Sequence, residues 1–109
     1  MCLFTTFGIG AEDIHPLLEH ATGSGYTLEE CLKIGERIWN LERLWNLRAG
    51  IDASQDELPK RMLDEPIPAG PAAGEVSRLG EMLPEYYRVR GWTADGLPTR
   101  AKLAELGLA

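Results

Sequence analysis

The stretch "TLEECLKIGERIWNLERLWNLRAG", residues 27–50, restricts the fold more than any other part of this chain. Thr27 and Glu30 have the spacing of a capping box, in which each side chain satisfies a backbone N–H that the start of a helix leaves unpaired. Gly50 stands where a helix can end in a left-handed residue. Between these signals Cys31, Ile34, Ile38, Leu41 and Trp45 recur at alternating steps of three and four, with Leu44 beside them. Glu30, Lys33, Glu36, Arg37, Glu42 and Arg43 fall largely elsewhere. The spacing predicts one amphipathic helix of about 22 residues, roughly 33 Å long at 1.5 Å per residue. An apolar stripe of that length needs a partner surface.

The remaining segments repeat the helical theme in shorter pieces. "DIHPLLEHATG" places Ile14, Leu17, Leu18 and Ala21 at helical spacing, with Asp13 as the expected N-cap, Pro16 in the first turn and Gly23 as terminator. "IDASQDELPKRMLDEPIPAGPAAG" holds four of the seven prolines, which predicts a surface-hugging connection with one helical turn over 59–63. "SRLGEMLPEYYRVRGW" resumes the spacing through Leu79, Met82, Leu83 and Tyr86. Pro84 is expected to bend that helix, with Gly80 relieving the clash with the proline ring. "TADGLP" reads as a turn, and Thr99 as the cap of a last short helix ended by Gly107. β-branched residues are sparse and no stretch alternates for long between apolar and polar. The fold class expected is all-α: an irregular bundle of four to five helices with one long central helix and a Pro/Gly-rich connection, forming a single domain over 1–109.

Charge and composition exclude several functions. A net charge of -6 gives no concentrated basic face with which to displace counterions from phosphates, so nucleic acid is not an expected partner. No apolar run approaches the ~20 residues of a membrane helix, and the N-terminus lacks a basic region and a small-residue cleavage site. A cytoplasmic location is the expectation, and with it reduced thiols at Cys2 and Cys31, the two cysteines.

Candidate chemistry is thin when the residues are taken alone. Cys31 falls on the apolar stripe, where a thiol behaves as a small hydrophobe. His15 and His20, five residues apart, do not share a helical face and make a poor metal pair. Residues 52–63 begin like a calcium loop with Asp52, Ser54 and Asp56, but have Glu57 in place of the glycine and Leu63 in place of the bidentate glutamate. "GIG" at 8–10 lacks the rest of a dinucleotide fingerprint. Trp39, Trp45, Tyr86, Tyr87 and Trp92 are expected to pack between helices. Arg37, Arg43, Arg48, Arg88 and Arg90 lie near carboxylates on their own helices, which predicts solvated pairs worth a few tenths of a kcal/mol each. Cys2 alone cannot fill a four-ligand metal or cluster site.

Longer runs carry more information. "GERIWNLERLWNLRAGID" at 35–52 resembles a signature of the tungsten-containing aldehyde:ferredoxin oxidoreductase family. The resemblance continues in "LPKRMLDEPIPAGPAAG" at 58–74, "EMLPEYYRVRGWTADGLPT" at 81–99 and "KLAELGL" at 102–108, and so spans nearly the whole chain in order. Carboxylate-reducing relatives and the tungsten subunit of aromatic acyl-CoA reductases share much of this pattern, and the segment leaves the choice among them open.

The resemblance implies the C-terminal helical domain of a longer enzyme, as a fragment or as a separate gene product. Such enzymes carry a tungstopterin and a [4Fe-4S] cluster, oxidise aldehydes to carboxylic acids and pass electrons to ferredoxin. In the family a CxxCxxxC run supplies three cluster ligands, and a cysteine nearer the C-terminus supplies the fourth. Cys2, in "CLFTTFG", matches that fourth cysteine in context and in distance from the end, close to a pterin and on the electron path between metal and cluster. The CxxCxxxC run, the pterin motifs and the family's acidic and histidine active-site residues are all missing from these 109 residues. The resemblance therefore implies no cofactor in the isolated chain, no activity by itself, no catalytic residue, and the enzyme's N-terminal domains as partners. The alternative reading is a small acidic helical module that binds a partner protein through an exposed apolar stripe and has no redox function.

Overall fold

The structure is a computed structural model that describes residues 3–109. Five α-helices follow one another: α1 (Ala11–Thr22), α2 (Leu28–Arg48), α3 (Lys60–Asp64), α4 (Leu79–Arg90) and α5 (Arg100–Glu105). Short 3-10 turns occupy Leu3–Phe7 and Ala53–Gln55, and no strand occurs among the described residues. The all-α expectation holds, with α2 as the long helix. The chain divides into two compact units, Met1–Trp39 and Asn40–Ala109, so that α2 begins in one and ends in the other.

Local signals explain where most of these helices start and stop. At the start of α2, Thr27 Oγ1 accepts from the Glu30 N–H at 3.2 Å while Glu30 Oε2 accepts from the Thr27 N–H at 2.7 Å. These reciprocal bonds hold the Glu30 carboxyl below its ordinary pKa, the backbone N–H of Thr27 being the main cause. At the other end Gly50 takes φ +85°, and the Ile51 N–H reaches back to the Asn46 carbonyl at 2.9 Å, closing the helix as expected. Thr99 caps α5 through a bond accepted from the Lys102 N–H. The helical turn expected at 59–63 is α3, entered through Pro59.

The first helix begins earlier than its spacing suggests. Gly10, not Asp13, is the N-cap of α1, and Asp13 sits three residues in, where its carboxylate accepts from the Gly10 N–H at 2.9 Å. Pro16 is consequently the sixth helical residue and lies beyond the first turn. The Asp13 carboxylate reads as a cap from either position because it bonds the same cluster of unpaired N–H groups. Helix α4 continues through Pro84 from Leu79 to Arg90. Residue 80, whose carbonyl Pro84 has no N–H to meet, is a glycine in the first turn.

The core departs more from expectation. All the buried residues among those described belong to the second unit: Tyr87, Trp92, Leu106, Gly96 and Pro98, together with the polar Asn40 and Arg43. At about 100° of rotation per residue, the stripe of Ile34, Ile38, Leu41 and Trp45 centres about 140° from Asn40. The long helix therefore turns a polar face into the core of the second unit and leaves apolar residues outside, with Trp45 71% exposed. Trp39 is also exposed, so of the five aromatics expected in packing only Tyr86, Tyr87 and Trp92 meet one another. Gly35, in the middle of α2, costs that helix roughly 1 kcal/mol relative to alanine. Nothing within 4 Å would meet a Cβ built there.

This distribution makes a direct prediction. Leu106→Ala empties a fully buried site and is expected to cost about 3 kcal/mol, whereas Leu41→Ala on the exposed stripe should cost less than about 1 kcal/mol, both read by chemical denaturation.

Candidate functional site

The densest polar constellation in the molecule forms around Arg43. Asn40 and Arg43 are three residues apart on α2, and therefore on one face. The 3-10 turn Ala53–Gln55 is started by Asp52, whose Oδ1 accepts from the Ser54 N–H at 2.8 Å and the Ser54 hydroxyl at 2.6 Å. Asp56 follows as the residue ending that turn. Tyr87 comes from the last turn of α4. Gly91 then closes α4 in the left-handed region and delivers Trp92, with the Trp92 N–H bonded back to the Tyr87 carbonyl at 2.9 Å. A turn held by Thr93 and Leu97 brings Gly96 back beneath the arginine, and Trp92 forms an isolated antiparallel bridge with Pro98.

In this frame the Arg43 guanidinium grips Asp56 with two parallel bonds, Nη1 to Oδ1 at 2.9 Å and Nη2 to Oδ2 at 2.6 Å. Its Nε–H donates to the Gly96 carbonyl at 2.9 Å, and its Cζ lies 5.0 Å from the Trp92 ring centroid. The Tyr87 hydroxyl donates to Asp56 Oδ2. The Trp92 indole N–H donates to Asn40 Oδ1 at 2.9 Å. Gly96 is required twice over: it takes φ +69°, and a Cβ there would collide with the Arg43 guanidinium and press on the Tyr87 hydroxyl.

The electrostatics follow from this geometry. Hydrogen bonding from Arg43 holds the Asp56 carboxyl below its ordinary range. Burial, reinforced by the bond to Asp56, pushes the Tyr87 phenol up to about 12. Asp52 is also lowered, by its bonds from Ser54. Every polar group in this cluster already has a partner, so it clamps segments together and offers no open acid, base or nucleophile. Arg43 is therefore not the solvated surface pair its spacing predicts. It is 7% exposed and its carboxylate lies 13 residues along the chain. Arg88 does form the expected short-range exposed pair, with Glu85 at 2.6 Å.

The other sequence candidates stay apart. Asp52 and Asp56 are consumed by Ser54 and by Arg43, which leaves no calcium loop. The rings of His15 and His20 bond separate backbone carbonyls, those of Tyr26 at 2.7 Å and Pro16 at 2.6 Å. Cys31 is a half-buried free thiol on α2. No group of three or more His, Cys, Asp or Glu side chains that could hold a metal occurs among the described residues. Cys2, the one cofactor candidate, lies outside the described residues. Asn40, Asp56 and Gly96 escaped sequence reasoning, and the one available signal was the acidic cluster at 52–56.

Two outcomes test the clamp. Asp56→Ala leaves a buried guanidinium unpaired and should cost about 3 kcal/mol, while Asp56→Asn, which retains one acceptor, should cost less. Stability should also fall at both ends of the pH scale. Asp56 has a lowered folded pKa, so its contribution is present above its ordinary 3.8 and is lost as pH falls through the folded value. Tyr87 has a raised one, so its contribution is present below 10 and is lost as pH rises toward about 12. Tyr87→Phe should flatten the alkaline limb in a pH series of thermal melts.

Comparison with known proteins places the chain. The family model described as aldehyde ferredoxin oxidoreductase, domains 2 and 3, matches residues 1–108. The tungsten-containing aldehyde ferredoxin oxidoreductases of Pyrococcus furiosus and Thermococcus kodakarensis are each 59% identical over 110 residues, covering 100% of this chain and 18% of the relative. The WOR-like subunit of an aliphatic sulfonate oxidoreductase from Pyrococcus furiosus is 32% identical over 117 residues, with 99% of this chain and 18% of that protein covered. The chain thus spans under one fifth of the length of these curated relatives. Near-continuous identity along every helix and through the Arg43 clamp, together with a family match over residues 1–108, means that the chain belongs to the aldehyde ferredoxin oxidoreductase family.

Proposed function

We propose that residues 1–109 are the C-terminal helical domain of a tungstopterin and [4Fe-4S] enzyme that oxidises aldehydes to carboxylic acids and passes electrons to ferredoxin. The observation that supports this reading best is 59% identity along the whole chain to enzymes named for tungsten, aldehydes and ferredoxin. Family membership favours it over the small acidic interaction module, because the similarity follows the entire sequence and not one binding stripe.

In this reading Cys2 supplies one thiolate of the cluster, and the N-terminal domains of the enzyme supply the rest. Two cysteines are present in the chain, and a [4Fe-4S] cluster takes four ligands. The described residues contain no metal-holding group, so the chain alone does not fit either cofactor. When bound in the complete enzyme, the tungsten centre supplies the oxygen-transfer chemistry and the cluster the one-electron steps to ferredoxin. The residues of this chain orient and wall that site: α2 and the segment Tyr86 to Trp92 are scaffold, locked by Arg43 and Asp56. A cytoplasmic location belongs to the same proposal. No helix among the described residues is long and apolar enough to cross a membrane.

The test compares two cysteines in the complete enzyme. Cys2→Ser is expected to lose most of the cluster iron and visible absorbance, whereas Cys31→Ser, which removes a half-buried thiol of α2, should retain both. Equal cluster loading in the two variants would remove Cys2 from the ligand set. The 109-residue chain purified anaerobically is expected to carry neither iron nor tungsten in stoichiometric amount and to be inactive.

A further inference from the structure

We infer that the apolar stripe of α2, with Gly35 as a notch in it, is the surface on which an apolar backbone segment from the remainder of the oxidoreductase polypeptide packs. The inference rests on the reading of the chain as part of a longer enzyme.

The first observation is the two-sided character of α2. Its polar face, carrying Asn40 and Arg43, is already committed to the core of the second unit. The opposite side shows Ile38, Leu41 and Trp45 to solvent, an inversion of the pattern by which a helix on a protein surface hides its apolar residues. Only a covering surface makes that arrangement favourable, since exposed apolar stripes of this kind mark contact sites.

The second observation is Gly35. Its neighbours one turn away in each direction are Cys31, Leu32, Ile38 and Trp39, so the missing side chain leaves a depression floored by helix backbone and rimmed by apolar groups. Nothing in this chain approaches within 4 Å of the position a Cβ would take, so no internal contact calls for glycine there. The helix nevertheless carries the propensity cost of a glycine. A glycine on a helix surface lets another backbone come closer than side chains otherwise permit, because the axial separation of packed elements is set by the residues at the contact.

The third observation concerns the occupant. The relatives extend far beyond the 18% of their length that this chain covers, so a large body of polypeptide is available to supply the segment. The stripe itself is uncharged from Ile34 to Trp45, which matches an apolar partner. A second copy of this chain is disfavoured by the -6 charge that each copy would bring.

Gly35→Leu and Gly35→Ala, each made in the 109-residue chain and in the complete enzyme, test the assignment. In the chain alone both side chains project into open space on a helix they favour, so Tm should hold or rise slightly. In the complete enzyme Leu should fill the notch and shift Tm down by several degrees, with Ala shifting it less. Equal tolerance of Leu in both forms overturns the surface, as does a wild-type chain that sediments as a dimer and becomes monomeric on Gly35→Leu. A complete protein that binds neither tungsten nor cluster yet loses stability on Gly35→Leu would sink the proposed function and leave the surface standing. A fully loaded enzyme indifferent to Leu would do the reverse.

Discussion

A guanidinium withdrawn from water sets the terms for the second unit of this structure. Removing a charge from solvent costs several kcal/mol unless its hydrogen-bonding capacity is matched closely by the surroundings. Arg43 is matched by a bidentate carboxylate, a backbone carbonyl and an aromatic face, drawn from three places in the sequence. Those contacts fix the position of the turn before Asp56, the end of α4 and the loop at Gly96 together. The neighbouring bonds, Tyr87 to Asp56 and Trp92 to Asn40, use the remaining polar atoms, so a change at one member is felt by the others.

The clamp also accounts for the unusual distribution of apolar surface. A helix has one circumference, and α2 spends the face nearest the second unit's core on Asn40 and Arg43. Its Ile and Trp residues then have to point elsewhere. Three large side chains, Tyr87, Trp92 and Leu106, make up the buried apolar core of that unit. A small core supported by a dense polar lock suits a piece of scaffold that is completed by the rest of a larger enzyme. The same economy is visible at Tyr86, which packs edge-on against Trp92 at 5.7 Å and lies under the Arg90 guanidinium at 5.3 Å.

Helix identity and most helix ends were legible in the sequence because they depend on neighbours. Thr27 and Glu30 make their reciprocal bonds within one turn, Gly50 and Gly107 end helices through bonds to the preceding turn, and Thr99 caps α5 locally. The start of α1 was misplaced because a carboxylate can serve the same unpaired N–H groups from the cap or from three residues inside. The family was legible for a different reason: long ordered runs such as 35–52 and 81–99 carry far more information than any single motif. Cys2 acquires a role through that resemblance alone, since one thiol specifies no chemistry.

The sequence by itself therefore determined that this protein is helical, where its long helix runs and which family it belongs to, all properties carried by short-range bonding or by residue identity in order. Tertiary structure alone decided which face of α2 is buried and which carboxylate Arg43 would meet. Helical spacing ranks faces by hydrophobicity, and by that measure Asn40 and Arg43 belong outside. What reverses the ranking is the simultaneous arrival of Asp56, the Gly96 carbonyl and Trp92 from positions 13 to 53 residues away, which compensates the desolvation of a charge that no local pattern can show to be compensated.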